Sequence, residues 1–303
     1  MKRYQLLYIA LLAILLVANV TIAQERGQYI PGFRGLSPAE QPHPGFTYGN
    51  FFYWYPTSTL KDRDGNNANT NFDLDLLADV NLFAYTPKKK FLGATYSASM
   101  IVPIMNTSIG LQRVGADVTV PTAFGDIYFE PISLGWAVGK GKGKIRAAYG
   151  FMAPTGAKRA SYDYFGHQVT FAGTYHPDKK GLWQISGNSV WEFHHKKQHE
   201  DVTVGNNVTF EYGVGRAFVK NKGAQIYQVG VVGYAQLQLT QDKGTDVVPF
   251  NVGAKDRVFA AGPEFNVILP KSKVAIAVRV LPEFGARSRT QGVTVIAGVV
   301  KSF

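Results

Sequence analysis

The sequence predicts an all-β fold, a transmembrane up-and-down antiparallel β-barrel of about 12 strands. Three observations predict it. Short lysine-rich turns alternate with longer polar loops, apolar and polar residues alternate along the segments between them, and no apolar run beyond the N-terminus reaches the roughly 18 residues of a membrane helix. Strands are therefore the elements expected to cross the membrane, as in barrels of the bacterial outer membrane.

The lysine-rich turns give the strand repeat. Each carries at least two lysines, and they lie at residues 88–90, 140–144, 179–180, 220–222 and 271–273. Successive turns are about 40 to 50 residues apart, which accommodates one strand out, a loop and one strand back. An even number of strands places both termini of the chain on one side of the membrane, so we expect every lysine-rich turn to face the periplasm and its anionic lipids.

Residues 1–23 have the layout of a cleavable secretory signal. Lys2 and Arg3 precede an apolar run that ends at Val20, and the mature chain is expected to begin near Gln24. Cleavage removes two basic residues and no acidic one, so the net charge falls from +11 to +9. We therefore expect export through the periplasm to the bacterial outer membrane.

The composition favours β structure without cross-links. Aromatic residues make up 13% of the chain, and cysteine is absent, so no disulfide can stabilise the exported product. Nucleic acid is not an expected partner despite the basic charge, because the excess lysine is concentrated in turns at one end. No cofactor is expected.

The predicted barrel occupies residues 46–303. Its twelve strands are predicted at residues 46–57, 71–86, 90–105, 126–139, 142–154, 167–176, 181–193, 207–218, 224–239, 257–269, 273–286 and 291–303. The longer connections are expected at residues 57–70, 106–125, 155–166, 193–206 and 240–256. The first and last strands must pair, because an open edge in hydrocarbon leaves backbone groups unpaired at a cost of several kcal/mol each.

Strand alternation predicts which side chains line the interior. Between residues 71 and 85 one face is wholly apolar and the other carries three aspartates, a pattern that also fits a soluble sandwich. In a membrane barrel the apolar face contacts lipid and the polar face the lumen. The predicted lumen-facing residues are Asp73, Asp75, Asp79, Arg146, Asn188, Glu192, Glu211, Gln228, Gln236, Glu264, Arg279 and Glu283.

These lumen residues carry mixed charges, so no strong preference for cations or anions follows. Arg279 is expected to have an acidic neighbour, with Glu283 on the same face. Twelve strands should enclose a narrow or partly obstructed lumen. The alternative is that the same side chains form a satisfied polar core in a closed barrel.

Two terminal segments have distinct predicted roles. Residues 24–45 contain four prolines and cannot form a central strand, so they are either a loose periplasmic leader or a plug in the lumen. The final stretch, residues 293–303, resembles the C-terminal targeting strand of outer-membrane barrels and ends on Phe303. The barrel assembly machinery is then an expected partner.

Metal binding is at most a weak possibility in the loops, and no metal is predicted. Asp62, Asp64 and Asn66 place oxygen ligands at alternate positions for Ca²⁺, but the same residues suit an Asp-Gly turn. His194, His195 and His199 lie in another loop and could bind Zn²⁺ or Cu²⁺. Lysines between them favour a solvated loop.

Several separated stretches resemble one family. They are residues 60–66, 126–136, 154–156, 233–244, 261–263 and 279–289. Together they cover nearly the whole mature chain and resemble the outer-membrane β-barrel family associated with the meta-pathway of phenol degradation. The resemblance implies uptake of aromatic or other hydrophobic compounds, and it brings no residue-level substrate site.

The predicted function is a porin-like outer-membrane channel or facilitated-diffusion transporter for small molecules, with the surrounding outer-membrane lipids as further partners. A closed structural or ligand-binding barrel is the first alternative. An outer-membrane lipid or ester hydrolase is the second, and it is disfavoured because no Gly-x-Ser-x-Gly motif is present. The chain is therefore not expected to be an enzyme.

Overall fold

The computed structural model describes residues 27–68, 72–111 and 116–303. These residues form a closed antiparallel barrel of twelve strands, which confirms the predicted fold class. The predicted signal sequence, residues 1–23, lies outside the described residues. Among the described residues, no helix is long and apolar enough to cross a membrane.

The strands follow one another as a meander. In chain order they are β1 (Gly45–Thr57), β2 (Leu60–Lys61), β3 (Phe72–Thr86), β4 (Thr95–Leu111), β5 (Ala116–Phe124), β6 (Ile127–Val138), β7 (Gly143–Ala153), β8 (Gly166–Tyr175), β9 (Trp183–His194), β10 (Asn207–Lys220), β11 (Gln225–Gln238), β12 (Arg257–Leu269), β13 (Val274–Arg287), β14 (Arg289–Thr290) and β15 (Val293–Ser302). The short strands β2 and β14 form a separate two-stranded sheet.

The ring closes where the first and last strands meet. β1 and β15 pair continuously from Thr47 opposite Ser302 to Trp54 opposite Val295. β1 pairs on its other side with β3, and β3 pairs with β4. Every spanning strand therefore has two neighbours, as a barrel in hydrocarbon requires.

The connection predicted at residues 106–125 is wrong, because most of it is strand. β4 continues to Leu111, its upper part pairs with β5, and its lower part pairs with β6. β5 and β6 thus act as one strand that is interrupted at Gly125 and Asp126. The polar composition indicated a loop, but β-branched Thr, Val and Ile residues recur through the stretch and suit a strand.

The strand predicted to begin at residue 90 begins instead at Thr95. Phe91 and Ala94 form a two-residue hairpin bridge, with each amide N–H donating to the other carbonyl. Leu92 and Gly93 between them have φ values of 51° and 74°. This left-handed turn reverses the chain before β4 starts.

The five lysine-rich turns lie at one end of the barrel, which we call the lysine-rich end, together with the start of β1 and the end of β15. The opposite end, the loop end, carries the longer connections. There Tyr164, Val202 and Val204 are buried together and Val247 packs against them, so three connections form one ordered cap.

The absence of cysteine allows the sidedness to be tested with single cysteines. Lys140→Cys lies in a turn of the lysine-rich end, and Lys243→Cys lies in a loop-end connection. We expect a membrane-impermeant maleimide to label Lys243→Cys on intact cells and Lys140→Cys only after permeabilisation. Labelling of Lys140→Cys on intact cells would reverse the orientation.

Candidate functional site

The described N-terminal segment, residues 27–44, lies inside the barrel. It hydrogen-bonds to side chains of β9, β10, β12 and β13 on one side of the ring and of β4, β6 and β7 on the other. A segment that contacts strands around the whole ring must cross the lumen. The sequence alone was compatible with either a loose periplasmic leader or a plug in the lumen for this stretch.

Two buried carboxylates hold the start of the segment. Glu211 on β10 accepts hydrogen bonds from the Tyr29 hydroxyl at 2.8 Å and the Gly32 amide at 2.7 Å. Glu192 on β9 accepts from the Tyr29 amide at 2.8 Å. Glu192 and Glu211 are 1% and 4% exposed. Charge-assisted bonds to buried carboxylates are stronger than neutral ones, so this contact is a principal anchor.

A buried ion pair holds the middle of the segment. Arg279 on β13 lies 3.2 Å from the Glu264 carboxylate on β12. Arg279 also donates to the carbonyls of Gly32 and Phe33, at 2.7 and 2.8 Å, and the Leu36 amide donates to Glu264 at 3.2 Å. The ion pair therefore binds both carbonyl groups and an amide group of the segment's main chain.

Gly35 is required for this approach. Its φ is +57°, a left-handed conformation that favours glycine. A Cβ atom there would collide with the Glu264 carboxylate and the Arg279 guanidinium. The turn and the close contact thus both exclude a side chain at this position.

Leu36 packs on a surface formed by glycines. Its side chain is fully buried against Gly213 and Gly215 of β10 and Gly230 of β11. A Cβ atom at Gly215 would lie 2.9 Å from both Leu36 methyl groups. The missing side chains make the recess that the leucine fills.

A second charged group binds the segment from the opposite wall. Glu130 on β6 pairs with Arg146 of β7, and its other oxygen lies 3.3 Å from Arg34 of the segment. The Tyr128 hydroxyl donates to the same oxygen at 3.2 Å. One carboxylate therefore joins two wall strands to the segment.

The end of the segment is held near the lysine-rich end. Gln41 donates to the Ser133 hydroxyl at 2.9 Å and accepts from the Ser97 hydroxyl at 2.7 Å. Glu40 pairs with Lys144 at 2.5 Å. Polar contacts thus continue to where the segment enters β1.

An apolar wall meets the segment on the β1, β3 and β15 side. Phe33 contacts Phe51 with ring centroids 4.8 Å apart, and Ile30 packs against the same cluster. A cavity of about 60 Å³ lies between this region and the β4, β6, β7 and β8 wall. Its lining residues are Gln28, Tyr29, Ile30, Phe33, Arg34, Val80, Ile101, Pro103, Asp126, Tyr128, Glu130, Met152, Gln168 and Thr170.

Nine of the twelve residues predicted for the lumen lie on the inner face. Eight are buried: Arg146, Asn188, Glu192, Glu211, Gln236, Glu264, Arg279 and Glu283. Gln228 is half-buried and bonds to Gln184 and Asn266. The structure brings Glu192 and Glu211 together through Tyr29, and Glu264 and Arg279 through their ion pair.

The prediction for Asp73, Asp75 and Asp79 is wrong, because these residues lie on the outer face of β3. The opposite face buries Ala78 and Val80 in the apolar cluster that Phe33 joins. The N-terminal segment presents apolar side chains to this part of the wall, so here the apolar face of the strand points inward. On the outside, Asn50 and Asn81 both donate to Asp79, and the Trp54 indole donates to Asp75 at 3.0 Å.

Glu283 is not the acidic partner expected for Arg279. Arg279 lies directly opposite Glu264 in the β12 and β13 pairing, while Glu283 accepts from the hydroxyls of Tyr55 and Tyr234 at 2.6 and 2.7 Å. Side chains directly opposite each other on adjacent strands lie closer together than side chains four residues apart on the same strand.

The structure does not bring the weak candidate metal ligands together into a site. The Asp62 carboxylate accepts the amides of Asp64 and Asn66, which is the bonding of a turn. His194 is buried against Gly205, whereas His199 bonds to Asp163 on the surface. Within the described residues, no group of three or more His, Cys, Asp and Glu side chains could hold a metal ion.

The loop-end cap contains two perturbed carboxyl groups. The hydrogen bond from Lys196 lowers the pKa of Asp201 far below its usual range, and Thr245 adds to the effect. Burial raises the pKa of Asp242, although the Gly205 amide donates to it at 2.8 Å. Both groups join neighbouring connections, so the cap is held partly by charge.

Strand alternation did not predict four residues that make polar contacts inside the barrel: Tyr29, Arg34, Glu130 and Arg289. Arg289 donates to Gln236 at 2.6 Å and lies 3.6 Å from the Asp256 carboxylate. Tyr29 and Arg34 belong to a segment without periodicity. Glu130 precedes Pro131, where the register between β6 and its neighbours shifts, although its alternation with Phe129 was a usable signal. Arg289 lies in the short strand β14, which no pattern marked.

Phe303 packs beside the first spanning strand. Its amide donates to the Phe46 carbonyl at 2.8 Å, and the two rings stack with centroids 6.0 Å apart. The ring is 64% exposed. Its role in membrane targeting stays a prediction.

Glu211→Ala should loosen the N-terminal segment. The change removes a buried acceptor from the Tyr29 hydroxyl and the Gly32 amide, at about 1–3 kcal/mol for each unsatisfied donor. Hydrogen exchange should show lost protection at residues 29–36, while Val214→Ala on the outer face of the same strand leaves it intact. Unchanged protection in Glu211→Ala would contradict the anchoring role.

The fold agrees with that of known outer-membrane proteins. The crystal structure of the COG4313 outer membrane channel from Pseudomonas putida F1 superposes with a TM-score of 0.72 at 11% identity, covering 91% of this chain and 100% of that one. The beta domain of the Bordetella autotransporter BrkA gives a TM-score of 0.54 at 11% identity, covering 86% and 100%. These similarities show the fold of outer-membrane barrels.

A search of curated proteins gives no match. Residues 57–297 match the family described as the MetA-pathway of phenol degradation. That match spans most of the barrel and includes every inner-face charge described above. The chain belongs to this family.

Proposed function

We propose that this protein is an outer-membrane channel for passive or facilitated diffusion of small molecules, in which the N-terminal segment controls the open cross-section. The supporting observation is that a separate segment crosses the lumen and fills it together with side chains of the strands. The segment enters from the lysine-rich end and joins the barrel only at Gly45. Its hydrogen bonds can be exchanged without breaking any strand pairing.

The preferred solute on this proposal is a mainly apolar molecule that carries one or two polar groups, such as a phenol. The cavity beside the segment has apolar walls at Ile101, Pro103 and Met152. At its polar side, Arg34 and Glu130 offer a donor and an acceptor. The family description, which names phenol degradation, favours the same chemistry.

Deleting residues 27–44 should increase conductance in planar bilayers, because it removes the segment from the lumen. Gly215→Val should raise it by a smaller amount, since its side chain displaces Leu36. Gly173→Val is the matched control, because a Cβ there meets only a backbone oxygen at 3.9 Å.

Silent bilayers for both the full chain and the deletion would contradict the channel proposal. That result would favour the alternative of a closed, ligand-binding barrel. The heat-dependent shift in electrophoretic mobility typical of folded barrels checks that each variant has assembled.

Ile101→Trp should weaken phenol binding, because the indole fills the cavity. Isothermal titration with phenol should show a loss of about tenfold or more, corresponding to at least ~1.4 kcal/mol. Ile104→Trp, on the outer face of the same strand, should bind phenol as the unmodified protein does. Equal binding by both variants would place the phenol outside this cavity.

A further inference from the structure

On the outer surface of the barrel, an arginine lies between two aromatic rings. Arg216 on β10 lies 5.5 Å from the Trp183 ring centroid and 5.3 Å from that of Phe218. All three side chains are exposed on the outer face. Cation–π contacts hold the planar guanidinium in place while leaving its N–H donors available.

The position along the strand places Arg216 at the membrane boundary. It lies near the lysine-rich end of β10, directly opposite Trp183 at the start of β9. Above it toward the loop end, Ile185 and Val214 are each 49% exposed. Aromatic rings at a boundary, next to exposed aliphatic side chains, mark the interface between headgroups and acyl chains.

Four lysines surround this arginine in sequence and topology. Lys179 and Lys180 lie in the turn before β9, Lys220 ends β10 and Lys222 lies in the turn after it; all four are exposed. Across the described ranges, no ion pair links any of them, or Arg216, to a carboxylate.

The one acidic residue of these two turns, Asp178, already accepts hydrogen bonds within its own turn. The Asp178 carboxylate accepts the amides of Leu182 and Trp183, at 3.1 and 2.8 Å. These amide bonds lower the pKa of Asp178, so it stays ionised as part of the turn. Five cations against one acid leave the patch strongly positive.

We propose that Arg216 and the lysines of the two adjoining turns bind the phosphate headgroup of an anionic phospholipid in the periplasmic leaflet. Arg216 donates to the phosphate oxygens in a planar, two-pronged contact, and the lysines add point charges around it. The acyl chains lie along Ile185, Val214 and the aromatic rings. The site is independent of the lumen and of whatever passes through it.

Native mass spectrometry of the full chain in detergent, with phosphatidylglycerol or phosphatidylcholine added, tests this proposal. The unmodified protein should retain phosphatidylglycerol in preference. Arg216→Ala should reduce that retention about fivefold, the effect of one basic group near a lipid surface. Arg216→Lys should lose less, because it keeps the charge.

Lys271→Ser with Lys273→Ser is the matched control. It removes two exposed lysines from another turn of the same end, where no such arginine is present, and it should retain the lipid. Equal loss in this control, or full retention by Arg216→Ala, would overturn the site.

Two further outcomes identify the source of the phosphate. Displacement of the lipid by millimolar inorganic phosphate would show a free-phosphate site and overturn the lipid assignment. Preferential retention of lipopolysaccharide would place this end of the barrel in the outer leaflet and overturn the periplasmic assignment. The heat-dependent mobility shift again confirms that each variant is folded.

Discussion

The structure depends on the pairing of every backbone N–H and C=O group within the ring of strands. In hydrocarbon an unpaired group costs several kcal/mol, so the barrel must close where β1 meets β15. Closure fixes the register, and the register decides which side chains share the interior. The ion pair of Glu264 and Arg279 is one result, because the two residues are placed directly opposite each other.

The buried polar side chains inside the closed barrel need hydrogen-bond partners, and the N-terminal segment supplies part of them. Buried carboxylates such as Glu192 and Glu211 require donors, since an unpaired buried charge is strongly destabilising. The walls supply some, and the segment supplies the rest through amide N–H groups and the Tyr29 hydroxyl. The wall and the segment therefore share one hydrogen-bond network, although the segment lies outside the sheet.

Strand alternation predicted much of this arrangement, and its failure has a physical cause. The side chains that it assigned to the interior on β9, β11 and β13 lie on the inner face, where they bond either to the segment or to other inner-face groups. It failed for β3, where Ala78 and Val80 face Phe33 and Ile30. A periodic pattern reports that a strand has an apolar face, but the neighbour of that face is decided by parts of the chain without periodicity.

The chemistry of the anchors bears on the proposal that the segment controls the open cross-section of the lumen. Most of its bonds to Glu192, Glu211, Glu264 and Arg279 use its main-chain groups, so they depend on its path more than on its side chains. Gly35 lets the chain approach closely enough to make them. Each of these bonds involves a charged side chain, and such a bond contributes about 1.5–3 kcal/mol net of exchange with water. Because the barrel's own ladder does not involve the segment, the channel proposal requires no unfolding of the wall when the segment is displaced.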